Sequence, residues 1–172
     1  MGSRLACAFV AAAATAACVP SGRLNRERAP GPAFDPVAFF AGRTEGRGSL
    51  KIVAHRRQRT VVEGRGTIEP DGAIDLDQEV GRGDAAPTHR RWRLRRVGPG
   101  RYAGTLTDAV GPVTGKVVGN RLTLAFAMKG GLRARQWLYL RPGGEVARNR
   151  LVITRLGLPV ASLDETITRL PS

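Results

Sequence analysis

Among the side chains able to do covalent chemistry, Cys18 has the most informative surroundings. Arg4 precedes the apolar run Leu5 to Ala14, the small residues Thr15-Ala16-Ala17 follow, and the thiol comes next. That order of charged, apolar and small segments is the order of a bacterial export leader, and its apolar part is too short to span a bilayer. Ala16-Ala17-Cys18 has the form of a lipobox, with Thr15 where the pattern usually places Leu. The chemistry expected of this thiol is acylation, which makes Cys18 the lipid attachment site and the mature N-terminus. The alternative is plain secretion, with cleavage after Ala14-Thr15-Ala16 and Cys18 left free. Cys7, the other cysteine, lies inside the leader, so the mature chain cannot close an intramolecular disulfide. Val19 rather than Asp follows the cysteine, which points to the outer membrane. The expected location is the periplasmic face of the bacterial envelope, with an acyl anchor in the membrane.

The remaining candidates do not assemble into a reaction centre. His55 and His89 stand at no ligand spacing from each other or from a cysteine, so a zinc site is not expected. Asp75, Asp77 and Glu79 alternate on one strand face without the glycine and chelating loop of a calcium site, and they read as a face that pairs with an arginine strand. Asp164 and Glu165 are adjacent in a strand, so their side chains diverge and cannot work as an acid–base pair. Gly64-Arg65-Gly66 precedes no helix and reads as a bulge or close approach rather than a phosphate cradle. Asp108, just ahead of Gly111-Pro112, is the carboxylate to watch, with turn capping as its ordinary role. No catalytic residue, metal or cofactor is expected, and the chain is read as a non-enzyme.

Charge supplies the second signal. The formal net charge is +14, and only Lys51, Lys116 and Lys129 among the basic residues are lysines. Guanidinium groups pair bidentately with phosphate and carboxylate. Arg91, Arg93 and Arg95 share one face of a strand, and Arg133 and Arg135 form a second row. These five are the candidates for contact with an anionic surface, weighed against a merely solvated face. Nucleic acid is not expected as a partner, given the leader, the few aromatics and the lack of a recognition motif.

These side chains are carried on elements of one texture. Residues 18–34 hold prolines, glycines and alternating charge, and read as a flexible linker. Its sixteen residues Val19 to Phe34 would reach roughly 20–25 Å as a coil. From Asp35 to Ser172 the chain has the size of one domain. A short helix is expected at Asp35–Phe40. Strands are expected near 48–54, 60–69, 73–79, 89–97, 101–107, 113–118, 121–129, 132–141, 148–155 and 162–170, separated by glycine-bearing turns. Residues 81–88 read as a rim loop. The local connections predict an all-β, single antiparallel up-and-down barrel of about eight to ten strands, lipocalin-like, with a β-sandwich as the alternative.

An ordered series of residues then resembles a known family. It runs Phe39-Phe40-Ala41-Gly42, Asp71-Gly72, Trp92, Tyr102-Ala103-Gly104, Asp108-Ala109-Val110-Gly111, Gly115, Gly119-Asn120, Trp137-Leu138-Tyr139-Leu140 and Asn149-Arg150. The series is similar to the bacterial domain-of-unknown-function family 3833, a set of lipoproteins, over about Asp35 to Leu170. The resemblance implies an envelope location and a calycin-like barrel. It implies no mechanism. In the family's pattern acidic residues precede the tryptophan that Trp137 matches, whereas this chain has Arg135 and Gln136 there.

A barrel of this size either fills its interior or holds one small apolar ligand. The expected function is binding of a lipid or other hydrophobic molecule, with Trp92, Tyr102, Leu122, Leu124, Phe126 and Trp137 as candidate lining. The alternative is a non-enzymatic envelope scaffold that docks its basic surface on anionic lipid or a partner protein. A monomer is expected in either case.

Overall fold

The computed structural model describes residues 32–171. The leader expected at Met1–Ala17, the expected lipid attachment site Cys18, and all but the last residues of the expected linker lie outside the described residues. Helix α1 (Pro36–Phe40) is followed by β1 (Gly42–Ile52), β2 (Gln58–Ile68), β3 (Ile74–Arg82), β4 (Ala85–Gly98) and β5 (Arg101–Leu106). The second half of the chain supplies β6 (Ala109–Val118), β7 (Arg121–Met128), β8 (Leu132–Leu140), β9 (Val146–Arg155) and β10 (Leu158–Arg169). Every strand pairs antiparallel with its sequence neighbours, and β10 closes on β1 from Thr44↔Arg169 to Ile52↔Ala161. The result is the closed up-and-down barrel that the sequence predicts, with ten strands.

One expectation changes. Residues 81–88, read as a rim loop, are mostly strand: β3 and β4 pair out to Arg82↔Ala85 across the turn residues Gly83 and Asp84. Gly83 at φ 53° permits that tight turn, so the hairpin extends to its tip. β1 likewise starts at Gly42, earlier than expected, because its pairing with β2 reaches Gly42↔Gly66.

The two ends of the barrel differ. The turns β1–β2, β3–β4, β5–β6, β7–β8 and β9–β10 surround one end, the mouth. The other end is plugged by α1. Five residues are too few for a helix to persist alone. Here the Asp35 carboxylate accepts from the Val37 and Ala38 N–H groups, and Pro36 opens the helix. Phe34, Phe39 and Phe40 are buried, with ring centroids 5.3 and 5.0 Å apart along the series. Each such ring contributes roughly 1.5–3 kcal/mol on burial. A Cβ on Gly66 would overlap the Phe40 carbonyl, so the plug rests directly on β2. That contact is the close approach expected at Gly64-Arg65-Gly66. Above the plug, Ile74, Val113, Leu122 and Leu138 are fully buried in a solid core.

Candidate functional site: the barrel lumen

Enclosed volume grows with strand number, and ten strands surround more space than these side chains fill. Above the solid core the lumen opens into two chambers. The deeper one, about 60 Å³, is walled mainly by Leu76, Trp92, Leu94, Leu124, Phe126 and Leu138. The outer one, about 190 Å³, leads to the mouth between Leu50, Ile52, Val62, Leu106, Met128 and Ile153. Arg90, Phe126, Leu151 and Leu163 line both and form the waist.

Polar side chains gather at the waist and in the adjoining deeper chamber, while Thr60, Arg82, Thr88 and Asp108 stand on the wall of the outer one. The Arg90 Nε–H and the Trp92 Nε1–H both donate to Gln78 Oε1, at 3.2 and 3.0 Å. The Asn149 amide donates to Glu165 Oε2 at 2.8 Å. Glu165 Oε1 and Asn149 Oδ1 are buried with no partner. An unmet buried acceptor costs about 1–3 kcal/mol, so such atoms are uncommon in a finished core. Room for the Glu165 side chain comes from β1: a Cβ on Gly46 would collide with its carboxyl group, and one on Gly48 would meet its Cβ.

Burial pushes the Glu165 carboxyl above the usual range, against the Asn149 hydrogen bond and the Arg90 charge. Burial also presses Arg90 toward losing its proton, opposed by the fields of Asp108 and Glu165. A guanidinium stays charged at any physiological pH, so the desolvation cost remains, and those two fields offset it in part. Among the described residues Arg90 has no ion pair. Asp108 is exposed, on the wall of the outer chamber.

Of the residues expected to line a ligand site, Trp92, Leu124 and Phe126 face the chambers, with the Trp92 and Phe126 rings edge to face at 5.6 Å. Tyr102 and Leu122 point inward but lie in the solid core. The Tyr102 hydroxyl accepts from Arg96 at 2.9 Å, and burial pushes its ionisation up. Trp137 does not line the lumen. Gln136 and Leu138 face inward, so alternation turns Trp137 to the outer face, paired with Thr123 and Arg150. There it flanks a shallow depression with Ala125, Val152, Arg133 and Arg135.

The basic rows are also redistributed. Arg93 pairs with Asp71 at 2.7 Å and Asp75 at 2.9 Å, and Arg91 with Asp77 at 3.1 Å. The Ala73 N–H and the Arg93 guanidinium hold Asp71 below the usual carboxylate range. Arg91 and Arg93 are therefore matched within the outer face, which removes them as an unpaired anionic-surface patch. Arg95, Arg133 and Arg135 are exposed, without an ion pair among the described residues. Asp164 turns outward toward Arg150 at 3.6 Å while its neighbour Glu165 turns in. Among the described residues no cluster of His, Cys, Asp or Glu is placed to hold a metal ion.

Comparison with known proteins gives one family and a set of fold relatives. The family model described as a protein of unknown function (DUF3833) matches residues 12–169. No curated protein matches the chain. The S-type phycobiliprotein lyase CPES from Guillardia theta superposes with a TM-score of 0.63 at 10% identity, over 79% of this chain and 91% of its own. Rv2717c from M. tuberculosis gives 0.60 at 16% identity, over 80% and 99%. A DUF3598 protein of unknown function from Nostoc punctiforme gives 0.58 at 10% identity, over 81% of this chain and 50% of its own. At these identities the likeness is one of fold.

Proposed function

As the chain belongs to the DUF3833 family of proteins of unknown function, its own residues have to indicate a role, and we propose that the barrel holds one small acidic amphiphile in its lumen. The observation that carries this reading is the waist: the half-buried Arg90 guanidinium, with no ion pair among the described residues, stands between two chambers whose walls are largely apolar. A carboxylate or similar head at Arg90 would supply the missing counter-charge, and a protonated Glu165 could donate to it. An alkyl or ring portion would lie against Trp92, Phe126, Leu151 and Leu163. The chambers are smaller than the roughly 300–1,000 Å³ of drug-sized sites, so the ligand is slender or projects from the mouth. The proposed role is binding without catalysis. The proposal includes export and an acyl anchor at Cys18, on the sequence grounds given above.

Calorimetric titration of the delipidated protein with octanoate and with octanol tests the lumen. Octanoate is expected to bind at one saturable site, about tenfold or more tighter than octanol, a gap set by one charge-assisted hydrogen bond. Phe126→Arg should abolish binding while circular dichroism still reports the barrel. If neither compound binds, the lumen reading fails. If both bind equally, the role assigned to Arg90 fails.

A further inference from the structure

The mouth is built asymmetrically. Around the rim the hairpin tips follow the order β1–β2, β9–β10, β7–β8, β5–β6, β3–β4. Val53, Leu156 and Leu158, on the first two tips, are 61%, 94% and 70% exposed. The same two tips and the adjacent β7–β8 tip carry exposed Lys51, Arg56, Arg57, Lys129 and Arg155 and no acidic residue. The rim carboxylates, Asp84 and Asp108, occupy the other two tips. None of those five cations has an ion pair among the described residues, unlike Arg91 and Arg93 on the outer wall.

Backbone geometry marks the same place. Among the described residues only Ala54 (φ 64°) and Leu156 (φ 49°) are non-glycine residues with positive φ, and both sit on those tips. Turn positions in the left-handed region favour Gly, Asn or Asp, and exposed turns favour polar residues. Leu156 meets neither preference. Water alone gives no reason for a leucine there, whereas a partly apolar, anionic neighbour does.

We infer that this side of the mouth is a docking face for an anionic bilayer surface. The Val53, Leu156 and Leu158 side chains would enter the interfacial region, and the surrounding cations would meet lipid phosphates, whose attraction reaches about a Debye length. Such a face turns the lumen toward the membrane. It stands whether or not the lumen takes a ligand, because it uses none of the lumen residues. An acidic protein surface is the competing occupant, and it would not draw the apolar tips into lipid.

The test uses the full chain with Cys7→Ala and Cys18→Ala, so that a single introduced thiol carries an environment-sensitive nitrobenzoxadiazole label. The label goes on Leu156→Cys or Leu158→Cys at the mouth, or on Val97→Cys at the plugged end. On vesicles of phosphatidylglycerol and phosphatidylcholine, both mouth labels should shift to the blue and be quenched by doxyl lipid, while the label at 97 stays solvent-like. Arg56→Gln with Arg57→Gln should weaken that docking equilibrium about thirtyfold. A solvent-like signal at 156 and 158, an equal response at 97, or the same mouth response on pure phosphatidylcholine would each overturn the proposal.

Discussion

The plugged end and the mouth are made by the same ten strands, yet they have opposite economies of space. At the plugged end Phe34, Phe39 and Phe40 cap a core in which Ile74, Leu122 and Leu138 have almost no exposed surface. At the mouth, half-buried Leu50, Ile52, Met128 and Ile153 border a chamber of about 190 Å³, and leucines stand in solvent. Positive φ is carried by glycine at Gly72, Gly100, Gly119, Gly143 and Gly144 beside the plug, but also by Ala54 and Leu156 at the mouth. Tight packing is concentrated at one end, and the recognition chemistry proposed above falls at the waist and the other end.

The largest expected effect tests that division directly. Leu122→Ala should cost about 2–5 kcal/mol, because the removed methyl groups leave a hole in a solid core. Ile52→Ala should cost about 1 kcal/mol, since its side chain is half-buried and already borders empty volume. Urea denaturation of both variants measures the difference. Equal losses would mean that the mouth packs as tightly as the plug in solution.

The next effect separates fold from function at the waist. Arg90→Met should raise stability, on the order of 1 kcal/mol, because it removes a half-buried charge that has no ion pair among the described residues and fills its space with an apolar chain. Gln78 Oε1 keeps a donor in the variant, the Trp92 indole N–H. The preference for octanoate over octanol should vanish at the same time. A stabilised variant that still discriminates the acid would show that the head binds elsewhere, with Arg82 at the outer chamber the nearest substitute.

How much of this could be read from the chain divides along the same line. Hairpin turns and period-2 alternation dictate the barrel, and Asp35-Pro36 ahead of Phe39-Phe40 dictates the capped helix, because those signals are local. Trp137 misleads because β8 has apolar residues at both parities, Trp137 and Tyr139 on one and Leu138 and Leu140 on the other. Only pairing with β7 decides between them. Arg90 lies within a run of arginines, yet it shares the parity of Trp92 and Leu94, which makes it an inward residue. Glu165 shares the parity of Leu163 and Ile167 in the same way, and Gly46 and Gly48 leave its space. A charged residue at apolar parity is the sequence signal for this waist. The size of the lumen has no such signal, since it depends on strand number and on which interior glycines meet across strands.

The smallest effect concerns Glu165 and is a matter of pH. Burial raises its folded pKa above the ordinary value of 4.5, despite the Asn149 amide and the Arg90 charge. A carboxyl with a raised folded pKa contributes stability that is complete below its unfolded pKa and lost as pH rises through the folded value. Wild-type protein should therefore lose melting temperature from about pH 4.5 upward, relative to a Glu165→Gln variant. The glutamine resembles the protonated acid and keeps the Asn149 contact, so its profile should be flatter over that window. Parallel profiles would mean that Glu165 ionises as freely in the barrel as outside it. The same titration reaches the ligand when octanesulfonate is used, whose charge is constant across the range. Protonating Glu165 removes one of the two negative charges, with Asp108, whose fields act on Arg90, so the sulfonate should bind more tightly as pH falls. In Glu165→Gln that dependence should disappear while binding persists. A pH dependence that survives the substitution would show that Glu165 is not the group that governs binding of the head, and would remove the head of the ligand from its place beside Glu165 at the waist.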